Sequence, residues 1–269
     1  MEKRFAYEIL AKITTYLRDD QQALLQLSRT CKRLHTISTP FLFCSPKFDT
    51  FRKFESFANA LTLLNGTHVR YLDLHMVPHR WDSSKIDEIL FMISEKTSHL
   101  ELLNLDHCSQ LTNKALIKIL KPLHHLRILS IDQCRLITDE SIKAIVSTCP
   151  NLQKLYLGST RITDQALNLI ATNLVHLSHL YIPDCQLITE LGIKIVTEKC
   201  QSLKYINIEE CYNIVSDSVL DERMNQFIWP ALNDRATFEE SRSNVDQGSI
   251  LEQLEDEWTD VEDEEEEEE

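Results

Sequence analysis

The sequence predicts an α/β solenoid: short parallel strands alternating with helices, wound as a right-handed β-α superhelix and preceded by a small all-α module. Three observations predict it. Five stretches, beginning at Leu100, Leu126, Leu152, Leu177 and Leu203, superpose at a period of 25 or 26 residues. Each carries the spacing L-x-x-[LI]-x-[LI], followed by an apolar residue, a Thr or Ser, and two or three apolar residues at helical spacing. Cys108, Cys134, Cys185 and Cys211 recur at one place in that frame, and Thr160 takes the place in the remaining repeat. A period in the twenties with leucines so placed is the pattern of a leucine-rich-repeat solenoid. Such an array buries its core between neighbouring units and leaves a long surface for binding. Recognition is therefore expected, and catalysis is not.

The elements follow in order. Ile9, Leu10, Ile13, Tyr16 and Leu17 have the three/four spacing of a helix over residues 5–18. Asp19 and Asp20 can cap a second helix, which Leu24, Leu27, Cys31 and Leu34 continue. Pro40 is expected to stop regular helix. Residues 1–46 thus form a helical module too small to bury much alone. Phe48, Phe51, Phe54, Phe57, Leu61 and Leu64 predict one connecting helix over 47–66, its aromatic stripe capping the raw end of the solenoid.

The repeats occupy 67–220, about six in all. The first is atypical: Val69, Leu72 and Leu74 make its strand, a loop follows around Pro78–Asp82, and a helix runs through Ile86, Ile89, Leu90 and Ile93. In the others Thr112, Thr138, Thr163, Thr189 and Ser216 are placed to cap the outer helix. Asp139, Asp164, Glu190 and Asp217 follow, at the positive end of its dipole. Met224, Phe227, Ile228, Trp229 and Leu232 suggest a C-terminal cap over 221–236. Residues 237–269 read as a disordered acidic tail.

The net charge of −14 is uneven. Residues 252–269 hold 13 acids and no Lys or Arg, while residues 1–220 carry a net of +2. A near-neutral body with an acidic tail would repel phosphate, which argues against nucleic acid. The tail has three readings: a solubility device, a dock for a basic partner, or a segment that folds back on the body's own basic residues. No apolar run nears the ~18 residues of a membrane span. The N-terminus does not read as a secretory signal. A cytoplasmic or nuclear protein is expected, in keeping with eight cysteines that lack any C-x-x-C pair. Repeat-spaced cysteines read as a buried structural ladder. On that basis Cys134→Ser should destabilise, a hydroxyl in an apolar layer lacking a sure partner.

No Gly-rich phosphate loop, H-E-x-x-H or G-x-S-x-G is present. No catalytic residue, metal or cofactor is expected. Strand alternation sends the leucines inward and the residues between them to the concave side. Tyr71, Asp73, Asp106, Asp132, Lys154, Tyr156, His179, Tyr181, Tyr205 and Glu209 are the candidate target contacts. Tyrosine is favoured in binding hot spots, and the acids line one edge.

Phe5-Ala6-Tyr7-Glu8-Ile9-Leu10-Ala11-Lys12-Ile13 through Leu17, with Leu24, Leu27, Thr30-Cys31-Lys32-Arg33-Leu34 and Pro40, resembles an F-box. The repeats resemble the cysteine-containing leucine-rich repeats of the same family. The two matches cover roughly residues 5–220, and the Phe-rich connector is most similar to fungal members. Phe5-Ala6 stands where the family usually has Leu-Pro, and Leu34 where it usually has Trp. The resemblance implies an adaptor-binding set of Phe5, Ala6, Glu8, Ile9, Leu10, Ile13, Leu24, Leu27, Cys31 and Leu34. It also implies a Skp-family adaptor and, through it, a cullin–RING ubiquitin ligase, with an unidentified protein target held by the repeats. That target would be a basic one if the tail takes part. The alternatives are an interaction scaffold with a drifted F-box and an acidic chaperone for basic proteins.

Overall fold

The computed structural model describes residues 2–18, 20–75, 77 and 86–214, with side chains from Ile9 onward. The Pro78–Asp82 loop, the Ser216 and Asp217 cap, the 221–236 segment and the 237–269 tail fall outside these residues. So do Asp19 and the side chains of Phe5, Ala6 and Glu8. The described residues divide into two units, 2–44 and 45–214.

The first unit is three helices: α1 (Glu2–Tyr16), α2 (Gln21–Ser28) and α3 (Lys32–Cys44). Asp20 starts α2 by accepting from the Ala23 N–H at 2.9 Å, satisfying one of the unpaired donors of the first turn. α3 packs on both α1 and α2. Ala11, Leu24, Ile37 and Phe41 are buried, and Leu17 and Leu42 pack against the Leu24–Phe41 contact. Pro40 does not end the helix as expected; it lies inside α3, buried between Ile37 and Phe41. A proline interior to a helix forfeits one ladder bond and costs ~3 kcal/mol. Here the apolar face on either side of it is the unit's core, and keeping that face helical outweighs the lost bond.

The second unit opens with two helices where one was expected. α4 (Phe51–Ala60) and α5 (Leu63–Gly66) are separated because Leu61 turns extended, at φ −63° and ψ 122°. Thr62 then caps α5 by accepting from the Asn65 N–H. Phe48 meets Phe54 and Phe57 at 5.3 and 5.1 Å between ring centroids, and Phe54 is fully buried. The Lys96 ammonium donates to the Ala58 and Leu61 carbonyls, tying the exposed acceptors at the end of α4 to the first repeat.

The repeats alternate strand and helix: β1 (Tyr71–Asp73), α6 (Ile86–Ser94), β2 (Leu102–Asn104), α7 (Asn113–Leu120), β3 (Ile128–Ser130), α8 (Asp139–Thr148), β4 (Lys154–Tyr156), α9 (Asp164–Asn173), β5 (His179–Tyr181), α10 (Glu190–Lys199) and β6 (Tyr205–Asn207). The six strands form one parallel sheet in sequence order, and each helix packs on the next. Parallel neighbours need a crossover connection, and the helix of each repeat supplies it. The result is the leucine-rich-repeat type of solenoid. Leu126, Leu129 and Ile131 are fully buried, as are Leu152, Leu155 and Leu157, and Leu177, Leu180 and Ile182. At ~25 cal/mol per Å² of apolar area these ladders dominate the unit's stability.

Two hydrogen-bond ladders hold the period. Ahead of the strands, the N–H groups of Glu101, Arg127, Gln153, Ser178 and Lys204 each donate to the same position one repeat back, all at 2.8 Å. Beyond the strands, His107, Gln133, Ser159, Asp184 and Glu210 hold φ between 52° and 62°. Such non-glycine residues are uncommon at positive φ. The first four donate to the carbonyl of the following repeat, again at 2.8 Å, which compensates the strained turn.

The outer caps differ in part from expectation. Thr112, Thr163 and Thr189 cap their own helices, but Thr138 makes no cap bond. Its hydroxyl accepts from Asn113 Nδ2. Asp139 and Asp164 do more than complement a dipole. Each binds the N–H and hydroxyl of the threonine in the next repeat, Thr163 at 2.8 and 2.5 Å and Thr189 at 2.9 and 2.6 Å. Gly192 permits this, since a Cβ there would collide with the Asp164 carboxylate.

Candidate functional site

Register aligns the concave residues in rows across the sheet. The first row is Tyr71, Leu102, Ile128, Lys154, His179 and Tyr205; the second is Asp73, Asn104, Ser130, Tyr156, Tyr181 and Asn207. Neighbouring strands lie ~4.8 Å apart, so planar side chains in register are brought to stacking distance. Tyr156 and Tyr181 accordingly stack at 4.3 Å and 5° between planes. His179 meets Tyr205 at 4.5 Å and 37°.

This geometry corrects the tyrosine set. Tyr156 and Tyr181 are 3% exposed and Tyr71 6%, so these rings offer a partner little surface. The open part of the first row is its C-terminal half, where Lys154, His179 and Tyr205 are half-buried.

The acids are corrected as well. Asp106 accepts from the Ser130 hydroxyl at 2.5 Å and the Asp132 N–H at 3.0 Å, and Asp132 accepts from the Gly158 N–H at 2.5 Å. Asp73 accepts from the N–H and Nδ1 of His75. These carboxylates staple turns and repeats. A buried polar group that lost such partners would cost more than its bond contributes. Burial pushes the Asp106 carboxyl above its usual range, partly offset by its bond from Ser130. Glu209 alone of the four proposed acids is exposed.

His179 is strongly perturbed. Burial, then the Lys154 and Lys204 ammoniums, lower its pKa to about 4. Its Nδ1 lies 2.8 Å from the Ser178 hydroxyl. Lys204, one residue before Tyr205, is exposed. Sequence reasoning missed it because it precedes the strand. The charged residues at the same place in earlier repeats, Arg70, Glu101 and Arg127, were the available signal.

The six cysteines of the repeats are buried. Cys134, Cys185 and Cys211 donate to the carbonyls of Leu105, Leu157 and Ile182 one repeat back, at 3.4, 3.2 and 3.1 Å. Cys149 does the same to Leu123. Burial raises the Cys149 and Cys185 thiols to about 12, and it pushes the Cys134 thiol up as well. Thr160 shows that a hydroxyl does find a partner here, the Leu157 carbonyl of its own repeat at 2.6 Å. The premise behind a damaging Cys134→Ser change is thereby overturned. Among the described residues, no group of three or more His, Cys, Asp or Glu is arranged to hold a metal ion.

In the helical unit, Leu24 is fully buried and belongs to the core rather than to a docking face. Leu10, Leu27 and Leu34 are half-buried and Cys31 is exposed. Ile9 and Ile13 are 44% and 49% exposed. With Tyr16 they form one stripe on α1, at spacings of four and three. Tyr16 and Leu25, both exposed, were not in the expected set.

No protein-family model matches the chain. Among solved structures, the chain is similar to one in the yeast Rad7–Elc1 complex, at 18% identity, covering 84% of this chain and 67% of that one, with a TM-score of 0.46. It is also similar to internalin C2 of Listeria monocytogenes, at 13% identity over 70% of this chain and 91% of that one, TM-score 0.40. The tropomodulin C-terminal domain of Caenorhabditis elegans matches at 14% identity over 52% of this chain and 92% of that one, TM-score 0.41. Likenesses this distant bear on fold alone and carry no argument about function.

Proposed function

We propose that this chain is the target-recognition subunit of an SCF-type cullin–RING ubiquitin ligase. The helical module docks a Skp-family adaptor, which brings the cullin, and the concave face of the repeats holds the protein to be ubiquitinated and degraded. The chain performs no chemistry itself and works in the cytoplasm or nucleus. The observation that carries this reading is the Ile9–Ile13–Tyr16 stripe. Three apolar side chains of α1 are exposed on one stripe, and a helical adaptor surface would bury them. The F-box resemblance of residues 5–40 supports the same reading.

The test is capture of the full chain by a purified Skp-family adaptor, compared with an Ile9→Asp, Ile13→Asp variant. Both positions are exposed, so the variant is expected to keep its fold and lose affinity about tenfold or more. Absence of micromolar binding by the unaltered chain would replace the ligase role with that of an interaction scaffold.

A further inference from the structure

Beyond the strands, the turns of the repeats form a rim whose chemistry changes along its length. Side chains tie the turns together across repeats. Gln133 Nε2 donates to the Ser159 hydroxyl, and that hydroxyl donates to Asp184 Oδ2. Gln186 Nε2 donates to the Glu210 carbonyl, and Asn213 Nδ2 to the Gln186 carbonyl. Equivalent turn positions therefore stand in rows, as the strand residues do. One row is Arg135, Arg161, Gln186 and Tyr212, each following Cys134, Thr160, Cys185 or Cys211, and all four are exposed. Leu136 and Leu187 take the next place, at 44% and 50% exposure, and Tyr212 is 73% exposed. Apolar side chains of this size gathered along one edge mark an interaction surface. Arginine and tyrosine are the residues most favoured at the centre of one.

The charges on this rim are separated. Arg135 and Arg161 stand beyond β3 and β4, and Glu210 is exposed beyond β6. Among the described residues, none of these three side chains joins a salt bridge or a hydrogen bond. The field of Arg135 does reach Asp184, whose carboxyl is held low chiefly by its bonds from Ser159 and Gln186. Three strand spacings, roughly 14 Å, separate the turn of Arg135 from that of Glu210, too far for a direct pair within one chain. A partner of a single charge sign would suit one end of the rim and be repelled by the other. A second copy running in the opposite direction suits both.

We propose that this rim is the interface between two copies of the chain, related by a two-fold axis between the turns of β4 and β5. Such an interface is isologous, so each contact occurs twice. Arg135 of one copy meets Glu210 of the other, and Leu136 meets Tyr212. Arg161 and Leu187 lie at the centre, where the guanidinium stem covers the leucine and its head stays in water. The inference rests on neither the adaptor nor the concave target surface.

The test follows the full chain by sedimentation velocity. Few side chains are involved, so a dissociation constant of about 10 µM is expected. Leu187→Asp should raise it about tenfold or more while leaving the melting temperature unchanged, because the side chain is half exposed. Arg135→Glu and Glu210→Arg should each weaken self-association, and an equimolar mixture of the two variants should recover it, since opposite signs then face each other. Lys143→Glu, a reversal at an exposed lysine of α8, should leave the constant within about twofold. A chain that stays monomeric at about 100 µM, a dimer indifferent to Leu187→Asp, or a mixture without recovery would overturn the inference. A Leu187→Cys variant separates a second copy from the chain's own residues as the occupant. Its alkylation by a maleimide, read at that site by mass spectrometry, should be fast in dilute solution and slow once dimers form. A rate independent of concentration rejects the second copy, and a slow one at every concentration assigns the rim to the same chain. Adaptor capture by the Leu187→Asp variant should be unchanged, so the two interfaces are read apart.

Discussion

The two halves of the concave face share one backbone frame and differ in what they show to solvent. In β1–β3 the first row is Tyr71, Leu102 and Ile128, all at 6% exposure or less. In β4–β6 the same row is Lys154, His179 and Tyr205, all half-buried. Strand length, register and inter-repeat ladders do not change between the halves. The difference is therefore a matter of side chains at one position. A solenoid can assign structure and recognition to different repeats without altering its backbone, because each repeat contacts only its neighbours.

If that is right, the buried side of the sheet should be indifferent to the half it lies in. Leu129→Ala and Leu180→Ala remove fully buried leucines from the two halves. Each should cost ~2–5 kcal/mol by urea denaturation. Costs that differ by more than about half would mean that the halves are not equivalent frames.

A smaller effect sharpens the same point at the cysteine ladder. Cys134→Ala and Cys185→Ala each remove a thiol bonded to a carbonyl one repeat back. About 1–3 kcal/mol should be lost in each, measured in the same way. Cys134→Ser should cost less than Cys134→Ala, since the hydroxyl can turn to the carbonyl of its own repeat as Thr160 does. A serine variant less stable than the alanine variant would contradict that account.

The smallest effect is read through pH, and both halves should show it with the same sign. The folded pKa of His179 is lowered to about 4 from its ordinary 6.5. Between those values the unfolded chain binds the proton and the folded chain does not, so stability falls as pH drops through this window. His179→Gln should flatten the melting-temperature profile between pH 6.5 and 4. His68 and His99, lowered chiefly by burial, give the N-terminal half a dependence of the same sign. A profile unchanged by His179→Gln would show that neither burial nor the lysines lower the pKa of the ring.

Much of the fold was legible in the sequence for a simple reason. A 25- or 26-residue period repeats each local error or success several times, so the leucines, cysteines and cap threonines identify one another. The connecting segment was less legible. Helical spacing runs straight through Leu61 and Thr62, and only Thr62's capping ability hinted at a break. Pro40 misled because a helix-breaking rule is local and the Ile37–Phe41 core is not. The candidate site was the least legible. Alternation assigns the strand residues to rows of the sheet, but it says nothing about how much of each side chain remains in contact with water.

The sequence by itself determined the repeat length, the parallel order of its strands, and the inward ladders of leucine and cysteine. These depend on spacing, and spacing is a property of one dimension. Tertiary structure alone decided which tyrosines are consumed in stacking, which aspartates are spent holding the next repeat, and that Lys204 joins Lys154 around His179. Those outcomes depend on distances between residues roughly one repeat apart, across strands ~4.8 Å from one another. Packing at that range, not the pattern along the chain, sets burial and charge.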